Sequence, residues 1–217
     1  MNRNIHKFDT LETWQNEICH HLSCFSSDAN LIVPGGKTPL FLFKKFFNEK
    51  IFNQLILSDE RITNDRERSN FLTISSLTNS SIFKLCDFPI SNYKNISLSK
   101  ISNALNKIKH PDIALLGLGD DGHYASIFPS TEVIENDESN NLKIISAKIG
   151  DSFEYRITLS EKYIKKTKEI LFIAKGKNKY DLINKIESKS EEVINLPIGK
   201  LINSYNGELN IMYCVND

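Results

Sequence analysis

The segment DIALLG, residues 112–117, constrains the fold of this chain more than any other stretch, because its apolar residues follow one another without a break. A β-strand with this pattern is buried on both faces, which is typical of a central strand in a parallel sheet. Parallel strands need crossover connections, and these are usually helices. The segment therefore predicts an α/β fold in which strands and helices alternate.

The rest of the chain supports this alternation. In LETWQNEICHHLSC, apolar residues recur with helical spacing after a cap at Asp9 or Thr10. Short apolar or amphipathic runs follow it at regular intervals. We predict strands at ANLIV, QLILS, SIFKLC, LKIISAK, YRITLS, EILFIAK and ELNIMYCV, and helices at residues 38–50, 71–77, 98–109, 161–168 and 177–188. We predict that DERITNDRERSN is a polar loop and that STEVIENDESNN is a mobile surface insertion.

Length and charge narrow the class of protein. A chain of 217 residues suits one domain spanning residues 1–217. Lys and Arg (27) balance Asp and Glu (27), so no net field favours nucleic acid or an anionic membrane, and a small molecule is the expected partner. No apolar stretch has the length of a membrane span, and the start MNRNIHKFDT lacks an apolar signal core. The four cysteines form no CxxC pair and are expected to be reduced thiols in a cytoplasmic protein.

The stretch VPGGKTP, residues 33–39, has the ending of a nucleotide-binding P-loop in Gly36, Lys37 and Thr38. A P-loop also needs a glycine five residues before the second one, and Leu31 stands there. A cradle for ATP is therefore not expected. A helix that starts near Thr38 would direct backbone N–H groups at one phosphate. A plain strand-to-helix turn without a ligand is the alternative.

Three unusual loops follow predicted strands: PGGKTP, SDERITNDRERSN and GLGDDGHYAS. In parallel sheets, ligands bind beyond the carboxyl ends of the strands. Asp59, Glu60 and Arg61 would therefore meet the ligand crevice, where the guanidinium of Arg61 could clamp a phosphate. A surface cluster of salt bridges is the alternative for these three residues.

The third loop places His123 two residues after Asp121, among glycines that permit sharp turns. Imidazole titrates near neutral pH, so His123 suits a general base. A zinc site is an alternative, although no second histidine is near and HExxH is absent. A solvated turn is another. The cluster CHHLSC (residues 19–24) is more simply part of an amphipathic helix than a metal site.

Taken together, these loops resemble the 6-phosphogluconolactonase family. The resembling pieces are LIVPGGKTP, LSDERITNDRERSN, DIALLGLGDDGHYASIFP, YRITLS and LFIAKGKNKYDLI, in the family's order, with a weaker echo in LPIGKLI. The resemblance implies a Rossmann-like, mainly parallel sheet flanked by helices, of the sugar-phosphate isomerase/deaminase type. It implies a cofactor-free hydrolase that opens 6-phospho-D-glucono-1,5-lactone in the oxidative pentose phosphate pathway. A monomer or homodimer without metal, nucleic acid or membrane partner is expected.

The resemblance also assigns roles to residues. His123 would activate water and Asp121 would orient or support it. Arg61 and Lys179 would hold the phosphate, and Asp59 would shape the sugar side of the pocket. Other residues of the resembling motifs are expected near the substrate: Gly35, Gly36, Lys37 and Thr38 in the glycine turn, and Arg156 in the strand YRITLS.

The chain departs from the family in two ways, and two other functions are alternatives. Lys37 stands where the family more often has serine, and the chain is short for the family. Glucosamine-6-phosphate deaminases resemble it but carry an acid in a run like AFNEP, where this chain has Ile127 and Phe128. A non-catalytic sugar-phosphate sensor would tend to lose the acid–base group and gain a DNA-binding segment, whereas His123 is present and no such segment precedes Leu31.

Overall fold

The structure is a computed structural model that describes residues 3–149 and 152–216. Its strands are β1 (Arg3–Phe8), β2 (Asn30–Val33), β3 (Gln54–Leu57), β4 (Asp59–Arg61), β5 (Ile82–Phe83), β6 (Ile113–Gly117), β7 (Glu132–Asn136), β8 (Leu142–Ile149), β9 (Ser152–Leu159), β10 (Glu169–Lys175) and β11 (Glu208–Cys214). Its α-helices are α1 (Leu11–Ser23), α2 (Phe47–Glu49), α3 (Asn70–Ser75), α4 (Leu98–Leu105), α5 (Glu161–Ile164), α6 (Tyr180–Glu187), α7 (Glu191–Ile194) and α8 (Pro197–Ser204). A π-helical segment, Leu42–Phe46, leads into α2.

Seven strands form one parallel sheet in the order β1-β11-β10-β6-β2-β3-β5. As the unbroken apolar run predicts, β6 is central, and its first four residues are fully buried. It pairs with β10 on one side and with β2 on the other. The α/β architecture, a mainly parallel sheet with flanking helices, is confirmed.

A second sheet of four antiparallel strands, β4-β9-β8-β7, was not predicted. Strand β7 lies within STEVIENDESNN, so the prediction of a mobile insertion was wrong. The polar residues of this stretch close the turn between β7 and β8. Asp137 is buried, and its Oδ1 accepts the backbone N–H groups of Asn141 (2.7 Å) and Leu142 (2.5 Å).

Two further short strands escaped prediction because their sequences are polar. Strand β1 covers one edge of the large sheet by pairing with β11, and most of its side chains are exposed. Strand β4 occupies the start of the predicted polar loop and pairs with β9. Strand β5, predicted as SIFKLC, contains two residues.

Helix α1 has the predicted capped, amphipathic form. The side chain of Thr10 accepts the N–H of Thr13, and Trp14, Ile18 and Leu22 are buried. The indole Nε1 of Trp14 donates to the carbonyl oxygen of Met212 in β11 (2.9 Å), which satisfies the donor inside the core. All four cysteines are free, as predicted. Across the two described ranges, no helix is long and apolar enough to span a bilayer.

The histidine cluster on α1 takes part in a polar contact far from the loops discussed above. His21 Nε2 lies 2.5 Å from Oε1 of Glu169, the first residue of β10. Asn210 of β11 donates to the same oxygen (2.8 Å). The hydrogen bond with Glu169 raises the pKa of His21, against the opposing effect of burial. Within the residues that the structure describes, no group of three or more His, Cys, Asp or Glu side chains could hold a metal ion.

The raised pKa of His21 predicts how stability depends on pH. A histidine whose pKa is higher in the folded than in the unfolded state stabilises the fold below the unfolded pKa, and this contribution is lost as pH rises through the folded value. We therefore expect the free energy of unfolding to fall from pH 6 to pH 8 more steeply in the parent chain than in His21→Gln. Urea unfolding at a series of pH values measures both slopes. Equal slopes would contradict the prediction, and the exposed neighbour His20→Gln serves as the control.

Candidate active site

An open pocket of about 250 Å³ is surrounded by four loops. They follow β3, β2, β6 and β10, four strands that lie side by side in the large sheet. This arrangement follows from the parallel order, which puts the carboxyl ends of these strands at one edge. Strand β9 of the second sheet supplies a further wall. Of the residues predicted for the site, the pocket is lined by Gly35, Gly36, Lys37, Thr38, Asp59, Arg61, His123, Arg156 and Lys179. Asp121 lies behind His123.

The glycine turn after β2 needs both of its glycines. Gly36 has φ +81°, a conformation that side chains disfavour. A Cβ on Gly35 would lie 2.1 Å from the side chain of Asn70, so that position has no room for one. Leu31 is fully buried in β2, and residues 38–39 form a turn before helical residues begin at 40. The P-loop is therefore absent, and the predicted helix start near Thr38 is correct to within two residues.

Glu60 holds the second loop in place. Its carboxylate is almost fully buried and accepts backbone N–H groups from Arg61, Asn70 and Phe71, each at 2.7 Å, and the hydroxyl of Ser69 at 3.1 Å. Burial raises the pKa of Glu60, although the three backbone hydrogen bonds oppose it. The loop that carries Arg61 is therefore closed on itself around one carboxylate.

Arg61 is oriented by neutral acceptors. Its Nη1 donates to the carbonyl oxygen of Arg68 (2.8 Å) and to Oδ1 of Asn70 (2.7 Å). Its Nε is buried and has no hydrogen-bond partner. Burial lowers the pKa of Arg61, and the charge of Asp59 opposes this effect. No carboxylate forms an ion pair with Arg61 among the described residues, so its charge is available to a ligand.

Asp59 and Arg156 meet through a buried serine. The Oδ2 of Asp59 accepts the hydroxyl of Ser126 (2.5 Å) and lies 3.7 Å from Nη1 of Arg156. The pairing of β4 with β9 creates this contact, because it sets Asp59 opposite Thr158 and Arg61 opposite Arg156. Ser126 is fully buried, in keeping with the absence of a nucleophile motif around it.

Glu154 is a site residue that sequence reasoning missed. Its Oε2 accepts Nε (2.7 Å) and Nη2 (2.6 Å) of Arg156, and its Oε1 pairs with Arg68. The charge of Arg156 is therefore compensated, unlike that of Arg61. A signal was present in the sequence: residues two apart on a strand face the same side, so Glu154 shares the face of Arg156.

The glycine-rich loop after β6 fixes His123. The N–H of Gly119 donates to the carbonyl oxygen of His123 (2.8 Å), and Gly122 has φ +78°. A Cβ on Gly119 would lie 2.1 Å from Nδ1 of His123, so only glycine lets the imidazole take this place. The N–H of Ile198, at the start of α8, donates to the carbonyl oxygen of Gly122 (3.0 Å), which ties the LPIGKLI segment to the loop.

Asp121 contacts His123 twice. Its Oδ1 lies 2.5 Å from Nδ1 of the ring and accepts the backbone N–H at 3.0 Å. Burial acts to raise the pKa of Asp121, but these hydrogen bonds outweigh it and lower the pKa. An ionised Asp121 accepts a hydrogen bond from a protonated Nδ1, and this tautomer leaves the lone pair of Nε2 free.

The pocket has uncompensated positive charge. The side chains of Lys37 and Lys179 line it, and neither makes a hydrogen bond or ion pair within residues 3–149 and 152–216. With Arg61, they place three cations without a carboxylate partner around the pocket, against one carboxylate of the lining, Asp120, that has no cation partner among the described residues. An anionic group on a ligand would therefore be favoured here.

Comparison with known proteins identifies the family of the chain. The family described as glucosamine-6-phosphate isomerases/6-phosphogluconolactonase matches residues 10–210. The 6-phosphogluconolactonase of Thermotoga maritima is 31% identical over 72% of this chain and 73% of its own length. That of Helicobacter pylori is 28% identical over 84% of this chain and 82% of its own.

A solved structure agrees on the fold. The crystal structure of a 6-phosphogluconolactonase from Shewanella baltica superposes with a TM-score of 0.83, covers 98% of both chains and is 21% identical. The chain belongs to the glucosamine-6-phosphate isomerase/6-phosphogluconolactonase family. The resemblance that the loop motifs indicated is confirmed.

The contacts of Glu60 predict a large effect on stability. In Glu60→Ala, three buried N–H groups lose their acceptor, so we expect the free energy of unfolding to fall by about 2–4 kcal/mol. Glu60→Gln keeps one carbonyl acceptor and should lose less. Glu67→Ala removes an exposed carboxylate of the same loop and should change stability by less than about 0.5 kcal/mol. Urea unfolding compares the three variants, and equal losses in Glu60→Ala and Glu67→Ala would contradict this account.

Proposed function

We propose that this chain hydrolyses 6-phospho-D-glucono-1,5-lactone to 6-phosphogluconate, with His123 as the base that activates water. The reaction belongs to the oxidative pentose phosphate pathway, and residues 1–217 act as one domain. The observation that carries the proposal is the position of His123, held by Asp121 on one side of a pocket whose other loops present Lys37, Arg61 and Lys179. The names of the relatives in Thermotoga maritima and Helicobacter pylori support the same activity.

The chemistry needs few groups. A δ-lactone is an activated ester, so water and a base are sufficient and no covalent nucleophile is required. Nε2 of His123 takes a proton from water as the oxygen bonds to the lactone carbonyl carbon. The bond from this carbon to the ring oxygen then breaks, and the imidazolium returns the proton to the departing ring oxygen. Asp121 stabilises the imidazolium while it exists.

The negative charge on the carbonyl oxygen also needs a partner. Arg156 is the cationic group of β9 that lines the same pocket, and Glu154, Ser126 and Phe128 hold its side chain in one orientation. A fixed guanidinium stabilises a developing oxyanion without reorganising. Asp59, which lies beside Arg156 and is hydrogen-bonded to Ser126, is assigned to the sugar hydroxyl groups.

The phosphate is assigned to the cations that have no internal partner. Arg61, Lys179 and Lys37 lie on three different loops and line the same pocket, together with the other residues of the glycine turn that carries Lys37. Lys37 takes the position at which serine is more usual, and here it would add a charge to the phosphate site. Binding the phosphate positions the lactone at the far end of the molecule.

The deaminase reading lacks the acid that it needs. The run in which that family carries the acid has Ile127 and Phe128 here, and the ring of Phe128 packs on the imidazole of His123, with centroids 4.4 Å apart. A non-catalytic sensor would not need an imidazole restrained by a carboxylate, as His123 is by Asp121. The lactonase reading uses both, and the following measurements separate the three functions.

Replacing the base should remove the activity. We expect His123→Ala to lower the turnover of freshly made lactone, corrected for spontaneous hydrolysis, by ~10²- to 10⁴-fold. Formation of 6-phosphogluconate is followed with a coupled dehydrogenase. His110→Ala, which changes an exposed histidine outside the site, is the control and should keep full activity.

The same protein preparations also test the two alternative functions. Turnover by His123→Ala at the parent rate would overturn the assignment of the base. Release of ammonia from glucosamine 6-phosphate, dependent on His123, would restore the deaminase reading. Binding of 6-phosphogluconate without any turnover by the parent chain would favour a sensor.

Removing a free cation should weaken binding of the phosphorylated substrate. A charged hydrogen bond is worth roughly 1.5–3 kcal/mol, so we expect Lys179→Ala and Arg61→Ala to raise KM for the phosphorylated lactone about 10- to 100-fold. The effect on unphosphorylated gluconolactone should be smaller. Lys177→Ala is the control, because it removes the same charge from the same loop. The side chain of Lys177 lies outside the pocket, so this substitution should leave KM nearly unchanged.

Two outcomes would contradict the phosphate assignment. The first is an equal rise of KM for both lactones, which would mean that these cations bind the sugar. The second is an unchanged KM in both variants. Because Arg61 also bonds within its own loop, thermal unfolding of Arg61→Ala is measured alongside. The side chain of Lys179 has no hydrogen bond or ion pair to lose within the described residues.

A further inference from the structure

The side chain of Phe128 is shared by two groups of the site. Its ring packs on the imidazole of His123, with centroids 4.4 Å apart and planes inclined by 32°. The guanidinium carbon of Arg156 lies 5.4 Å from the centroid of the same ring. His123 comes from the loop after β6 in the large sheet, and Arg156 comes from β9 in the small sheet. Phe128 is therefore a point at which the base and the cation from two different sheets meet.

The ring itself is placed by a closed turn. The N–H of Phe128 donates to Oγ1 of Thr131 (2.8 Å), and this hydroxyl donates to the carbonyl oxygen of Phe128 (3.0 Å). Just before it, the N–H of Ser126 donates to Oγ1 of Thr158 (3.3 Å). These bonds anchor the backbone at Phe128 and just before it, which fixes the point from which the ring projects toward the groups that pack on it.

The hydrogen bonds of both neighbours lie near the planes of these groups, so they restrain tilt less than a contact with an aromatic face does. Asp121 bonds to one nitrogen of the imidazole, and a single hydrogen bond fixes the position of an atom but not the tilt of a ring. Glu154 holds one edge of the guanidinium of Arg156, and Ser126 contacts Nη1 weakly, at 3.4 Å. Contact with the phenyl ring supplies the missing restraint in both cases, because planar groups pack on an aromatic face at a set separation.

We propose that Phe128 is a positioning residue that fixes the imidazole of His123 and the guanidinium of Arg156 relative to each other. The inference rests on the proposed function and adds a determinant of the rate to it. Phe128 acts at the lactone end of the substrate, away from the phosphate. Its loss therefore lowers kcat and leaves phosphate binding in place.

The kinetic test uses Phe128→Leu, which removes the aromatic face, and Phe128→Tyr, which keeps it. Because small misplacements of reacting groups cost one to two powers of ten in rate, Phe128→Leu is expected to lower kcat about tenfold while KM changes by less than about twofold. The loss is equal for phosphorylated and unphosphorylated lactone, and Phe128→Tyr restores most of kcat. Phe153→Leu, which changes a ring that is 70% exposed, is the matched control.

A spectroscopic test examines the contact without using activity. A proton that lies over an aromatic face resonates upfield, so the ring protons of His123 are shifted in the parent chain and in Phe128→Tyr, and the shift is lost in Phe128→Leu. The chain has five histidines, and the spectrum of His123→Ala identifies the signals. Thermal unfolding confirms that each variant is folded under the conditions used.

The outcomes separate this inference from the proposed function. Unchanged His123 signals in Phe128→Leu, an unchanged kcat, or a rise in KM confined to the phosphorylated lactone each overturn the role of Phe128. A parent chain with no lactonase activity rejects the proposed function instead. In that case the NMR signals still decide whether Phe128 holds the imidazole.

Discussion

Four neighbouring strands of the large sheet run in the same direction and stop at the same edge, and this constraint creates the site. Because β3, β2, β6 and β10 are buried on both faces, polar groups can enter only at the strand ends, where the chain turns away from the sheet. The turn after β2 supplies glycine backbone, and the turn after β3 supplies a carboxylate and an arginine. The turn after β6 supplies the histidine, and the turn after β10 supplies a lysine. None of the four loops makes the pocket alone.

The charges of the pocket are divided between compensated and free groups. Arg156 is paired with Glu154 and lies near Asp59, so its charge is compensated and its guanidinium is held in place. Within the part of the chain that the structure describes, Lys37 and Lys179 have no such partners, and Arg61 bonds only to neutral oxygens. A balanced overall composition therefore conceals a local excess of positive charge. In this protein the relevant electrostatic quantity is the pairing of individual side chains and not the net charge.

The sequence predicted what depends on local pattern. Unbroken apolar residues identified β6 as central, and the spacing of glycines around His123 indicated a tight loop near a ligand. Other features depend on contacts between distant segments. Strand β7 lies in a polar stretch and exists because β8 pairs with it, and Glu154 enters the site through the pairing of β4 with β9. In the sequence, Phe128 is notable only as an apolar residue in the run where a deaminase carries an acid. Its packing on two polar groups produces no pattern in the sequence.

The contact between Gly35 and Asn70 has a consequence for how the pocket meets its ligand. Asn70 fills the space that a Cβ on Gly35 would need, donates to the carbonyl oxygen of Asp59 (2.9 Å) and accepts from Arg61. Two loops are thus locked against each other before any ligand arrives. The entropy of ordering them is lost when the chain folds and not when the substrate binds. A pocket formed in this way is pre-organised, so the ordering of these two loops is not subtracted from the free energy of ligand binding.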